Sequence, residues 1–471
     1  LNEMHARKQN GTTAMLNFVS PTHSYSILPA TYSRLAVAAS NRCALSRTGS
    51  SFLRVTGRVV HRINFRVPLV SFPSFPRHFS CVASMASACS DATAFSNEAS
   101  VSSHDANTRM NVIRVDRSSS IDPEILRPAA DLLRSGKLVA FPTETVYGLG
   151  ANALDADAVR QIFVAKGRPS DNPLIVHISS LDMLERVSRL KLAALPLKVR
   201  LAIDAFWPGP LTLVFPREAS VPNLVTAGLD TVAVRFPSDP IALALISAAG
   251  VPVAAPSANV SGRPSSTRAS HVIQDFFDRG VPCLIDGGPC EVGLESTVAD
   301  LFRDPPMILR PGGVTLEQLS KVVGDSCCVY GMNGQTRDHT LEEKPPTPGM
   351  KYKHYSPNAS VHLYVGSTEG VKLRLLDDLR TKYGLSEVGL VVHSSETSQS
   401  IGNLITQRTD TRVHLINASG DAELAHCIFN ALRELDADGV SDILIEGTDE
   451  KGLGMAVMNR LRKAASDVVV C

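Results

Sequence analysis

Between Lys137 and Ser179 the chain switches between apolar runs and polar turns at short, regular intervals, and few folds accommodate that rhythm. Leu138 to Phe141 are continuously apolar, as in a strand buried on both faces, and Pro142 ends the pairing because it has no N–H to give. Thr143, Glu144, Thr145 and Tyr147 follow on a predicted turn closed by Gly148 and Gly150. A helix comes next, with Asp155 or Asp157 as N-cap, Val159, Ile162 and Phe163 on one face, and Gly167 as its stop. In Arg168-Pro-Ser-Asp-Asn-Pro173 the two prolines limit the backbone while Ser170, Asp171 and Asn172 offer short polar groups. Lys166 and Arg168 therefore sit on a stiff cationic turn, which suits a polyphosphate. Leu174 to Ile178 is strand-like again, and by period two His177 shares the face of Ile175, opposite Leu174, Val176 and Ile178.

The 471 residues leave room for about three domains of ordinary size, and a 44% hydrophobic content supports real cores. A net charge of +1 gives no global field toward nucleic acid or anionic lipid. Nine cysteines, at 43, 81, 89, 283, 290, 327, 328, 427 and 471, lack C-x-x-C spacing and read as reduced thiols, not a metal or disulfide framework. No apolar run approaches the roughly 18 residues of a membrane helix. Between Met4 and Ser90 there are ten Arg or Lys and no Asp or Glu, with abundant serine. That composition is the signature of a chloroplast or mitochondrial transit peptide, the alternative being upstream sequence ahead of a start at Met85 or Met110. Either way residues 1–110 are expected to be disordered or cleaved.

From Asn111 the texture becomes that of a folded domain, expected over 111–320. Val112 to Val115 reads as a strand, Pro123 to Leu133 as a capped helix, Leu181 to Leu190 and Ala193 to Phe206 as helices, and Leu211 to Phe215 as a strand. Trp207-Pro-Gly-Pro210 is a rigid aromatic corner. Thr231 to Phe236 alternates, with Thr231, Ala233 and Arg235 on one face. Val251 to Ser265 is a short strand running into a turn of small residues, where Ala255, Ser257, Ser261, Gly262 and Ser265 leave N–H groups and hydroxyls uncovered for phosphate or ribose. Ser296 lies outside any G-x-S-x-G pattern, which argues against a hydrolase nucleophile. Residues 321–358 read as a linker whose Pro345 to Pro357 portion is stiff and aromatic. Beyond it, strands at Val361–Val365, Val388–Val392, Thr411–Ile416 and Asp442–Glu446 alternate with helices at Val371–Tyr383, Asp421–Leu435 and Gly454–Ala465, the pattern of a small parallel α/β domain over 359–471. It has no G-x-G-x-x-G to bind a dinucleotide.

Phe141-Pro-Thr-Glu-Thr-Val-Tyr-Gly-Leu-Gly150, then Lys166-Gly-Arg-Pro with Asn172-Pro-Leu-Ile-Val-His177, Pro256-Ser-Ala-Asn with Ser261-Gly262, Ile308-Leu-Arg-Pro-Gly312 and Pro348-Gly-Met-Lys-Tyr-Lys-His-Tyr355 together resemble the YrdC/Sua5 family. The resemblance spans roughly 115–465. It implies a YrdC-like twisted open mixed sheet with a C-terminal Rossmann-like Sua5 domain, and a threonylcarbamoyl-AMP synthase, a nucleotidyltransferase acting in the cytoplasm. The implied reaction takes L-threonine, bicarbonate or CO2, and ATP to threonylcarbamoyl-adenylate and pyrophosphate, for t6A37 modification by a downstream tRNA threonylcarbamoyl transferase. Carried over position by position, it assigns Arg168, Asn172, Thr231, Ser257, Ser265, Arg310 and Tyr355 to ATP, and Thr145, His177, Arg235, Ala255 (through its backbone) and Ser296 to L-threonine. Lys166 joins Arg168 as a catalytic cation near the phosphates. Mg²⁺ is expected on the triphosphate without a dedicated protein cage. Related single-domain proteins carry a basic concave surface, so the alternative is a double-stranded RNA or tRNA binding module without turnover. A third relation, the hydrogenase-maturation carbamoyltransferase, also carries a zinc module that the cysteine spacing here excludes.

Overall fold

The computed structural model describes residues 110–118, 120–324, 326–331, 341, 345–349, 354–383, 387–407 and 413–471, with backbone only at 406–407. The Arg- and Ser-rich segment expected to be disordered or cleaved lies outside them save for Met110, as do Met350 and Tyr352 of the stiff segment. Among the described residues the chain is α/β, with two sheets.

The first sheet is mixed and open, with strands β1 (Asn111–Arg114), β2 (Val139–Phe141), β3 (Gly148–Asn152), β4 (Ile175–His177), β5 (Leu211–Pro216), β6 (Thr231–Arg235), β7 (Val253–Ala254), β8 (Cys283–Asp286), β9 (Thr297–Asp300), β10 (Met307–Arg310) and β11 (Cys328–Val329). Their order is β1-β8-β2-β3-β7-β4-β6-β5-β9-β10-β11, so the sheet runs on past residue 320, the boundary expected from sequence. The second sheet holds β12 (Ser360–Val365), β13 (Val388–Val392), β14 (Val413–Asn417), β15 (Asp442–Glu446) and β16 (Asp467–Val470), in the order β14-β13-β15-β12-β16, and its pairs are all parallel. In this domain the final strand and the helix Ser395–Gln407 add to the elements read from sequence, as do the helices Pro240–Ala249, Ala269–Phe276 and Leu316–Val323 in the first.

Local chemistry explains most boundaries. Pro123–Arg134 starts under the Asp122 side chain, which accepts Glu124 N–H at 3.0 Å. Ala156–Lys166 is capped by Asp155 and stopped by Gly167 at φ +60°. The helix expected from Ala193 divides at Pro196, whose missing N–H separates a short turn at Leu192–Ala194 from Leu197–Phe206. Gly148 and Gly150, expected to close a turn, instead lie in β3, antiparallel to β2. A Cβ on Gly150 would stand 2.7 Å from Phe141 and 2.8 Å from Val253, so the glycine permits close strand packing. Trp207 packs on Phe215 and Phe236 and donates its indole N–H to Leu211 O at 2.7 Å, a structural corner. The described cysteines, Cys283, Cys290, Cys327, Cys328, Cys427 and Cys471, are free thiols. No described helix is long and apolar enough to cross a membrane.

Candidate active site

The cleft opens where β4 and β6 end. These strands are parallel neighbours with His177 beside Arg235 and Ile175 beside Ala233, so the paired side chains share a face. Val176 and Val234, on the opposite face, enter the main core. Ala255 N–H reaches Ile175 O at 2.9 Å and brings the loop after β7 alongside. About 530 Å³, counting the open mouth, is enclosed by residues 143 and 145–148, Arg168, Ile175, His177, Arg235, residues 255–257, Glu295, Ser296, Arg310, Pro348, Gly349, His354 and Tyr355.

At one end Thr143 organises the turn after β2. Its hydroxyl oxygen accepts the N–H groups of Thr145 and Val146, both at 3.2 Å, and its proton goes to Val146 O at 2.6 Å. Thr145 is thereby presented to Arg235, whose Nη1 donates to its hydroxyl at 2.8 Å. Arg235 Nη2 lies 2.8 Å from the Glu144 carboxylate, with both side chains at most 5% exposed. Arg235 and Glu144 thus form a close, buried charge pair. Burial pushes the Glu144 carboxyl up, but the Arg235 charge outweighs it and the group is held below its usual range. Burial first, and Arg235 second, lower the His177 imidazole to about 3, so it is neutral at physiological pH. Its Nδ1 meets no hydrogen-bond partner among the described residues. Ser296 completes this end, its hydroxyl 2.7 Å from that of Thr212. A guanidinium N–H, hydroxyls and a neutral imidazole in one dry corner fit a small ligand bearing a carboxylate and polar side groups.

The cationic turn faces the same cleft. Arg168 is half-buried, with Nε to Asn172 O at 3.3 Å and Nη2 to Pro173 O at 3.0 Å. Lys166 sits behind it. The lysine is 1% exposed and its Nζ donates to Ser257 O at 2.5 Å and to Asn259 O, tying the serine loop to the helix. Burial, then the charge of Arg168, drive its ammonium well below the usual range. Asn259, which the sequence reading passed over, completes this knot: its oxygen accepts the Ser257 hydroxyl at 2.5 Å and its amide donates to Val260 O and Arg263 O. Its position in Pro-Ser-Ala-Asn was the available signal.

Of the residues singled out from sequence, the cleft lining gathers Thr145, Arg168, His177, Arg235, Ala255, Ser257, Ser296, Arg310 and Tyr355. Lys166, Asn172, Thr231 and Ser265 lie outside that lining. Thr231 pairs with Pro216 at the opposite end of β6 from Arg235, and Ser265 is fully buried with its hydroxyl on Glu295 at 2.7 Å.

Arg310 joins the far wall to the stiff segment. Its Nη2 donates to Ser296 O at 2.9 Å and its Nη1 to Pro348 O at 3.2 Å. Tyr355 follows at φ +67°, a conformation uncommon for a bulky residue, held by full burial and by stacking on Phe429 at 5.2 Å. Glu295, also missed from sequence, lines the cleft and pairs with Arg460 at 3.0 Å. The carboxylates of this region do not fit a metal cage. Glu144 and Glu295 are engaged by arginines, and among the described residues no group of three or more His, Cys, Asp or Glu could hold an ion.

Known proteins resemble this chain in sequence and fold. A family model described as telomere recombination matches residues 131–312, and one described as threonylcarbamoyl-AMP synthase, C-terminal domain, matches 314–466. The chain is 47% identical over 343 residues to a threonylcarbamoyl-AMP synthase of Pyrococcus abyssi, covering 72% of this chain and 94% of the relative. It is 44% identical over 371 residues to one of Schizosaccharomyces pombe, covering 73% and 88%. Among solved structures, the crystal structure of P. abyssi Sua5 complexed with L-threonine matches with a TM-score of 0.67 at 44% identity, covering 77% of this chain and all of that one. With both family regions present in order and relatives this similar matched over nearly their full length, the chain belongs to the threonylcarbamoyl-AMP synthases of the two-domain Sua5 type.

Proposed function

We propose that the cleft joins L-threonine, bicarbonate or CO2, and ATP into threonylcarbamoyl-adenylate and pyrophosphate, the activated intermediate passed to a tRNA threonylcarbamoyl transferase for t6A37. The observation that carries this reading is one cavity lined both by the Arg235–Thr145 corner and by Arg168. The similarity to a Sua5 crystallised with L-threonine supports threonine as the amino acid.

Arg235 takes the threonine carboxylate through its guanidinium, while Thr145, Ser296 and neutral His177 bond the side chain and amine. The threonine amine adds to CO2 with loss of a proton, or condenses with bicarbonate with loss of water, and either route gives the carbamate. A carbamate oxygen then attacks the α-phosphorus of ATP; the new O–P bond forms as the bond to pyrophosphate breaks. The nucleophile is already anionic, so the step needs oriented cations and dipoles more than a general base. Arg168 and Arg310 supply the charge and the 255–257 loop the backbone dipoles, with Lys166 and Asn259 holding that loop in place. Mg²⁺ enters as part of the substrate, carried on the triphosphate. The 345–357 segment acts as a lid: Pro348, Gly349, His354 and Tyr355 close one wall, and the mixed anhydride product needs such shelter from water. The acid-free N-terminal stretch supports import into chloroplast or mitochondrion, against the cytoplasm that the family implies; imaging a fluorescent fusion of residues 1–110 decides between them.

Calorimetric titration of L-threonine tests the assignment of the corner. Wild type binds saturably, and Arg235→Ala, checked for folding, loses roughly tenfold or more because a charge-assisted partner is gone. Equal affinity in the variant would place the amino acid elsewhere.

A further inference from the structure

Two arginines cross from helices of the C-terminal domain and end, buried, around one loop of the first. Arg433, on Asp421–Ala437, pairs with Asp275 at 2.8 Å and donates to Pro264 O at 2.6 and 3.1 Å. Arg460, on Gly452–Ala464, donates from Nε to Glu295 at 3.0 Å and from Nη1 to Pro311 O. The other Glu295 oxygen accepts the Ser265 hydroxyl at 2.7 Å. Ser265 directly follows Pro264, so the C-terminal domain grips this serine from both sides. The serine lies fully buried outside the cleft lining, with its proton committed to Glu295. Glu295 itself lines the cleft, and a carboxylate in the wall of a polyanion site repels the ligand unless it is neutralised.

We propose that Arg460 is a positioning residue for the nucleotide, supplied in cis by the C-terminal domain: it cancels the charge of Glu295 and, together with the Ser265 hydroxyl, fixes that carboxylate in the cleft wall. The proposal rests on the nucleotide reading of the cleft given above. The charged and titratable groups around Glu295 are Arg310 from β10, Arg460 and Lys463 from Gly452–Ala464, and His354 and Tyr355 from the lid. Burial pushes the Glu295 carboxyl up; Arg460 foremost, then Arg310 and the Ser265 hydroxyl, bring it down to about 2. In wild type it is therefore ionised and neutralised across the working range. Without Arg460 the carboxyl rises. Below its new pKa the neutral acid leaves the phosphates unopposed; above it the bare carboxylate repels them. ATP binding in such a variant weakens, relative to wild type, as pH rises through that new pKa, which Arg310 still holds down in part.

The experiment measures ATP affinity and KM from about pH 6 to about pH 9 for the full chain and its Arg460→Met, Arg460→Lys, Glu295→Gln/Arg460→Met and Arg433→Met variants. Arg460→Met is expected to raise the KM for ATP roughly tenfold or more, with a smaller change in kcat and a ratio to wild type that climbs with pH. Arg460→Lys keeps the charge and recovers part of the loss, and the double variant abolishes the pH dependence. Arg433→Met breaks a docking contact that does not touch Glu295, and lowers stability without a new pH slope. If Arg460→Met does not fold, Arg460→Lys and the double variant carry the same comparison. An Arg460 series that tracks Arg433→Met at every pH overturns the proposal and leaves Arg460 an interdomain staple. Failure of wild type to bind ATP would instead overturn the nucleotide reading on which it rests.

Discussion

Arg168 and Lys166 lie two positions apart and do different work. Both described hydrogen bonds of Arg168 go to backbone carbonyls, which leave its positive charge in place at the cleft, whereas Lys166 spends its ammonium inside the 257–261 loop. Arg168→Ala is therefore expected to cost roughly 2 kcal/mol of transition-state stabilisation, about thirtyfold in kcat/KM for ATP. Steady-state kinetics check this, and a variant with wild-type kcat/KM would make the cationic turn structural. The facing of single side chains was legible wherever strand period decides it: His177 and Arg235 emerge side by side on the cleft face as alternation requires. Partners distant in sequence were not legible. Nothing near Arg235 announces Glu144, and nothing in the helix of Arg460 announces Glu295, because buried ion pairs are set by how elements dock.

Among elements, the stiff segment has the most to lose or gain. Ser356 N–H bonds Gly262 O at 2.8 Å, Lys463 Nζ bonds Gly349 O, and Tyr355 sits in the apolar cluster of the C-terminal domain while its edge lines the cleft. Tyr355→Phe keeps the stack on Phe429 and removes only the hydroxyl. It is expected to leave the unfolding midpoint near wild type while weakening ATP binding severalfold, the scale of one lost hydrogen bond. Tyr355→Ala adds a cavity worth about 3 kcal/mol or more and lowers stability as well. Nucleotide titration beside a denaturation curve separates the two, and unchanged ATP affinity in both variants would reduce the segment to a tether. Element reading from sequence succeeded where periodicity or caps are strong, as in Ala156–Lys166 with its Asp155 and Gly167 ends. It passed over Ser395–Gln407, whose apolar Ile401, Leu404 and Ile405 all fall in its second half after a polar run, helices such as Pro240–Ala249, and the edge strand Asp467–Val470, where Val470 is 79% exposed.

For the molecule as a whole, family motifs foretold a mixed open sheet followed by a parallel one, but not the order β1-β8-β2-β3-β7-β4-β6-β5-β9-β10-β11. That order places β4 and β6 together from segments more than fifty residues apart, and so makes one site from residues that no local pattern joins. The account stands on the claim that this single cleft couples an amino acid to a nucleotide. Pyrophosphate release by the purified chain tests it most directly, with L-threonine and bicarbonate supplied together, singly and not at all. The account predicts release from ATP only when both are present; release that continues unchanged without threonine would contradict it.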